Sequence, residues 1–218
     1  MVLPDTLPDV PFDDPVLTPA GERLLRAASE LFYRRGIRAV GVDLIAETAG
    51  TTKKTLYDRF GTKDELVALY LRGRARRWQA HLFAHLHGAG PEGPLAVFDA
   101  LAAWLREQDR GCAFVNAHAE VGGTGHPAEA VIRAEKDWMR RVLVALAGDE
   151  RLGAALHLLY EGATVLHTAG GRVDAVATAR DTAAGLVGRS APALLPPPAQ
   201  QQHEGAQQRE EHHGLPQR

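Results

Sequence analysis

The stretch Asp43-Leu-Ile-Ala-Glu-Thr-Ala-Gly-Thr-Thr-Lys-Lys-Thr-Leu-Tyr-Asp-Arg-Phe-Gly-Thr-Lys-Asp-Glu-Leu66 decides the fold. It has the outline of a helix-turn-helix. A short helix carries Leu44, Ile45 and Ala49, and Gly50 follows where the chain needs a left-handed residue. A second short helix starts at the hydroxyls of Thr51 and Thr52 and presents Lys53, Lys54, Thr55 and Tyr57. That arrangement offers a helix N-terminus with small polar and basic side chains to a DNA major groove. Leu44, Ile45, Leu56 and Phe60 read as core.

Helices continue on both sides. Thr18-Pro19 is a helix start, a hydroxyl cap followed by proline at the first helical position. Leu24, Ala28, Leu31 and Phe32 then fall on one face, and Gly36 closes the helix. Thr62-Lys63-Asp64-Glu65 is a capping box that opens a long helix to about Leu86. The spacing predicts further helices over Leu95–Asp109, Phe114–Val121, Ala128–Ala147, Glu150–Thr168 and Val173–Val187, separated by glycine-bearing breaks. No segment alternates as a strand does. The expectation is an all-α chain, with a helix-turn-helix domain over 18–62, a helical domain over 63–189, a flexible arm over 1–17 and a disordered tail over 190–218.

The formal net charge is only −2, but it is unevenly spread. Between Thr18 and Lys63 nine basic residues face five acids, a local excess of four positive charges. Residues 1–17 carry four aspartates and no base. A basic patch confined to the motif fits a sequence-specific binder of duplex DNA. A single cysteine, Cys112, excludes an internal disulfide framework and fits a reducing cytosol. No apolar run reaches membrane-spanning length, and the acidic, proline-bearing N-terminus does not read as a signal peptide.

Residues 18–66 resemble the DNA-binding domain of the tetracycline-repressor (TetR) family of bacterial transcription regulators. The resemblance rests on Leu31-Phe32-Tyr33-Arg34-Arg35-Gly36, Ile45-Ala46, Ala49-Gly50, Thr55-Leu56-Tyr57, Phe60 and Lys63-Asp64-Glu65-Leu66. It implies a repressor working as a homodimer on a near-palindromic operator, released by a small-molecule effector held in the C-terminal domain. It also implies phosphate contacts from Tyr57 and Lys63, and a dimer interface on the last two helices. We place that interface on Leu152, Leu156, Leu159, Leu166, Val176 and Ala184. Thr51, Thr52, Lys53, Lys54 and Thr55 complete the expected DNA contacts, with Lys54 as a reader of a base edge. Relatives often carry a hydroxyl just before the first helix of the motif. Here Val40-Gly41-Val42 offers none, so the chain lacks that hydroxyl for a phosphate.

Candidate effector-pocket residues are Trp104, Cys112, Asn116, His118, Glu120 and Trp138. Cys112 opens an alternative, a regulator triggered by thiol oxidation or electrophiles. His81 and His85 share a helical face, but no third ligand stands in register, so no metal is expected. A helical enzyme or small-molecule carrier is the remaining class. Against it, the sequence shows no nucleophile–base set, no phosphate loop and no complete metal ligand set, and no cofactor is expected.

Overall fold

The computed structural model describes residues 7, 8, 11, 12, 16–87, 89 and 92–190. The tail beyond 190, with His203, His212 and His213, and most of the N-terminal arm lie outside the described residues. Those described form nine helices and no strand: α1 Pro19–Arg35, α2 Val42–Thr48, α3 Lys53–Phe60, α4 Lys63–Leu86, α5 Gly93–Leu105, α6 Ala113–Val121, α7 Ala128–Ala147, α8 Glu150–Thr168 and α9 Ala175–Ser190.

Caps set many of the boundaries. Thr18 accepts a hydrogen bond from Gly21 N, Thr52 from Thr55 N, Thr62 from Glu65 N and Asp149 from Leu152 N. Each such cap contributes roughly 1 kcal/mol. The helix expected over Leu95–Asp109 stops at Leu105. The N–H groups of Glu107 and Gln108 bond back three residues, to Trp104 and Leu105, and tighten the chain out of the α-helical path. The last helix begins at Ala175 and not at Val173. Arg172 pairs with Asp174 in the turn before it and leaves Val173 in solvent.

Two apolar clusters hold the chain. The first joins α1–α3 to the start of α4 and to α6, through Leu24, Phe32, Ile45, Leu56, Leu71 and Phe114. The second lies among α4, α5, α7, α8 and α9, around Trp78, Phe98, Leu101, Trp138, Met139 and Leu156. The helices α4 and α7 run through both, α7 through Val131 and Ile132 in the first and Trp138 and Met139 in the second. The helices α7 and α8 meet closely at Gly153, where a Cβ would lie 2.4 Å from the Val144 Cα. Any larger residue there would force the pair apart.

The N-terminal arm is anchored at the points described. Leu7 packs on the second cluster, Phe12 on the first, and Trp138 Nε1 donates to the Pro8 carbonyl at 3.1 Å. Of the arm that composition reads as flexible, these contacts concern only the described residues Leu7, Pro8 and Phe12.

Candidate nucleic-acid interface and interior cavity

The helices α2 and α3 form the motif. Gly50, at φ +61°, turns the chain between them with open space around its Cα, and Thr51 N donates to Ala46 O at 2.9 Å. Arg23 on α1 braces this turn through Ala49 O. Behind α3, Leu56 and Phe60 are buried, as their apolar spacing requires.

The outer side of α3 is polar. Thr52 and Thr55 link hydroxyls at 3.0 Å across the first turn. Lys53 is held by Asp43 on α2 at 2.7 Å, whereas Lys54 reaches only Asp58, one turn on, at 3.6 Å. Exposed ion pairs of this kind contribute little to stability. Both lysines are therefore available to an incoming anion, and Lys54 projects furthest, with 88% of its side chain exposed. Tyr57 lies 47% exposed beside it. Lys63 differs from the expectation. It is half-buried, donates to Ile37 O at 2.7 Å and sits 5.9 Å from the Phe32 ring centre. Burial lowers its pKa, and Asp64 and Glu120 offset part of that. A phosphate contact would require it to leave the carbonyl.

The second region is a narrow interior cavity among α4, α5, α6, α7 and α8. Trp78, Trp104, Phe114 and Tyr160 supply aromatic walls, with Arg74, Glu135 and Lys136 among the polar groups. Its volume is about 30 Å³, room for roughly two waters, so a ligand must open it. Lys136 Nζ lies 2.7 Å from both Glu161 oxygens and 3.7 Å from Cys112 Sγ. Burial alone would lower the Lys136 pKa, but Cys112 and Glu161 outweigh it and raise it. For Glu161 burial raises the pKa, and His157 and Lys136 outweigh that, leaving it low. Glu135 is different. Burial pushes its carboxyl up to about 8, against a single hydrogen bond of 3.0 Å from Gln79. It is mostly protonated at neutral pH.

The six pocket candidates scatter. Trp104 and Cys112 line the cavity. Asn116 and Glu120 do not, because Ala113, Phe114, Ala117 and Val121 take the inner face of α6. Those two sit instead on the seam with α1. Asn116 donates to Arg110 O, and Glu120 accepts from Ile37 N and Arg38 N. His118 points outward, and Trp138 is sealed in the second cluster, edge-on to Phe83. His81 and His85 face carbonyls of Ala100 and His81, and no metal-binding group of side chains occurs among the described residues.

The residues missed at the cavity are Arg74, Glu135, Lys136 and Tyr160. A signal existed for two of them. Arg74 stands in the stripe Val67, Leu71, Trp78, Leu82, and Glu135 in the stripe Val131, Trp138, Val142, all buried. A charge on the buried stripe of a helix marks a site or a partner.

The dimer candidates also divide. Leu152, Leu156 and Val176 belong to the protein's own core, since α8 and α9 must cover α5 and α7. Leu159 and Ala184 are half-covered. The outer face of α8 presents Leu158, Val165 and Leu166, exposed by 75%, 42% and 52%.

The sequence profile of the family described as "Bacterial regulatory proteins, tetR family" matches residues 24–70. Over these residues the chain carries the DNA-binding domain of the TetR family. An HTH-type transcriptional activator, FasR of Mycolicibacterium smegmatis, is 48% identical over 50 residues, 23% of either chain. An uncharacterised HTH-type transcriptional regulator of Mycobacterium tuberculosis is 36% identical over 58 residues, 27% of this chain and 29% of its own. The chain thus matches only about a quarter of the length of these curated relatives. The fold extends further. The crystal structure of a TetR-family transcriptional regulator from Streptomyces coelicolor superposes over 78% of this chain and 95% of its own, with TM-score 0.72 and 28% identity. Another TetR-family structure, from Streptomyces avermitilis, covers 77% and 99% with TM-score 0.62 and 27% identity. The thiol-sensing reading of Cys112 gains no support from these relatives. No helix among the described residues is long and apolar enough to cross a membrane.

Proposed function

We propose that this chain is a cytoplasmic, sequence-specific DNA-binding regulator of the TetR family, a repressor that leaves its operator when a small molecule occupies the interior cavity. Residues 18–62 bind duplex DNA, and residues 63–189 hold the effector and the partner. The observation that carries the reading is the exposed, hydroxyl-capped start of α3, with Lys54 and Tyr57 in solvent above a sealed apolar back. In this reading Thr51, Thr52, Lys53, Thr55 and Tyr57 position the helix on phosphates and groove edges, and Lys54 reads a base. Two copies, joined through the outer face of α8 together with α9, set two such helices roughly 34 Å apart on a near-palindrome.

Release follows from the cavity's neighbours. The wall segment Gly111–Ala113 is also the clamp on α1. Tyr33 Oη donates to Gly111 O at 3.2 Å and accepts from Arg110 N at 3.1 Å, and Arg110 reaches Arg34 O at 2.6 Å. A ligand that opens the cavity must move this segment, and with it the seat of the DNA-binding domain. Such a ligand has different affinity for the two arrangements, which is what coupling requires. Selection of bound duplexes from a random pool at low salt tests the core of the proposal. Recovery of no common near-palindrome by the purified protein, freed of any effector, would overturn it.

A further inference from the structure

A second recess lies outside that cavity, between α1 and α4. It is an open cleft of about 780 Å³, within the range of small-molecule sites. Leu25, Tyr33, Leu69 and Ala80 give it an apolar floor. Five arginines line it, at positions 26, 34, 74, 76 and 77, against Glu22 and Glu30. Glu30 is already engaged by Arg34, at 3.7 Å.

Arg74 is the telling residue. It is only 8% exposed, yet it has no carboxylate partner among the described residues. Its guanidinium lies 4.4 Å from the Tyr33 ring centre and 4.9 Å from that of Trp104, and it donates to Gln108 Oε1 at 2.7 Å. Two rings and one amide leave most of its five N–H donors unused. Removing a guanidinium from water without a counter-ion is costly, and ring faces repay only part of that cost. Arg77, one turn on, and Arg26, across the cleft, are likewise without ion pairs among the described residues. Partial desolvation in the cleft lowers the Arg77 pKa, and the charge of Arg74 lowers it further.

We propose that the α1–α4 cleft is an anion-binding site, with Arg74 as its anchor and Arg26 and Arg77 at its rim, taking an organic acid with an apolar body. The carboxylate supplies the counter-charge that Arg74 lacks, and the body covers Leu25, Leu69 and Ala80. The cleft is bounded by α1 of the DNA-binding domain and by α4, which enters the effector domain. An occupant held from both sides fixes the angle between them. Arg74 also lines the interior cavity, so the two recesses share this one side chain, but the floor Leu25, Leu69 and Ala80 and the rim Arg26 and Arg77 belong to the cleft alone.

The test uses the full chain, the probe 4-phenylbutyrate and its neutral amide, at constant ionic strength. Side-chain ¹⁵N–¹H NMR of the arginines follows the titration. The expected result is saturable shifts of the Arg74 and Arg77 signals with the acid, binding about tenfold weaker or worse for the amide, and a similar loss in Arg77→Met. Arg26→Met, at the opposite rim, should give a smaller loss in the same direction. Both variants lie on exposed surface and leave the core intact, so folding does not confound them. No shift up to about 20 mM acid, equal binding of acid and amide, or unchanged affinity in Arg77→Met would each overturn the proposal. So would an Arg77→Met chain that binds the acid normally but binds DNA more weakly with a shallower salt dependence, since that would make the arginine a phosphate contact.

Discussion

Glu120 on α6 accepts two backbone hydrogen bonds from the DNA-binding domain, from Ile37 N at 2.9 Å and Arg38 N at 2.7 Å. These N–H groups lie just past the end of α1, so one carboxylate ties α6 to the loop that leads into the motif. Hydrogen bonds to a charged group are worth about 1.5–3 kcal/mol in favourable settings. Glu120→Ala should lower stability by roughly 1–2 kcal/mol, discounted for the partial exposure of the site. It should also weaken operator binding without altering which sequence is preferred. Urea unfolding and a panel of operator variants check both parts. Unchanged stability would show that water replaces the carboxylate at no cost.

Lys54 and Tyr57 should play different parts on DNA. Lys54 is the more exposed and the less restrained, and it stands in the first turn of α3. Tyr57 is one turn further on, where a phenol meets the backbone of the duplex. Lys54→Ala should relax preference at one position of each half-site, by about 1–3 kcal/mol of discrimination. Tyr57→Phe should weaken all operator variants by a similar factor. Should Lys54→Ala lower every affinity equally and reduce the salt slope by about one, the lysine is a phosphate contact.

The homodimer should close over the outer face of α8. Leu158 and Leu166, on one side of that helix, are more exposed than large apolar residues of a monomer surface usually are in a contiguous patch. Gly162 lies between them, with open space where a Cβ would stand. Leu158→Asp with Val165→Asp should yield folded monomers with weak operator binding. Leu152→Asp is a different experiment, because it buries a charge in the monomer core and should unfold the chain. Sedimentation of the double variant decides the matter. A dimer that persists would place the interface elsewhere.

Much of this architecture was legible because local signals and periodicity agreed. Thr18, Thr52 and Thr62 announce helix starts, and each accepts the capping hydrogen bond its position predicts. The start of α3 could be read for the same reason, since its polar face is set by local spacing. The cavity could not. Its walls come from five helices distant in sequence, and which face of α6 turns inward depends on α4 and α7 packing against it. That is why Asn116 and Glu120 belong to the domain seam and Trp138 to a sealed core. The apolar stripe of α8 misled in a similar way. Leu152 and Leu156 obey helical periodicity, but periodicity does not say whether a buried face meets the same chain or another.

Glu135 should make stability depend on pH. Its carboxyl is pushed up to about 8 by burial, from an ordinary value near 4.5. In the unfolded chain the group ionises as pH rises through about 4.5, while in the folded chain it stays protonated until about 8. The unfolded state therefore binds fewer protons across that window, so folding stability falls as pH rises through it and levels off above it. Below about 4.5 both states are protonated and the group costs nothing. Glu135→Gln keeps the size and the amide partner at Gln79 but cannot ionise. It should leave stability near pH 4 almost unchanged and raise it by roughly 1–3 kcal/mol at pH 8 to 9, after allowance for relaxation of the buried site. Urea unfolding at matched ionic strength across pH 4 to 9 measures the difference between the two chains. If that difference is flat with pH, Glu135 ionises in the folded state much as it does in the unfolded one. A difference that grows toward low pH would mean that the carboxylate is stabilised inside, with Lys136 as its partner in place of Glu161.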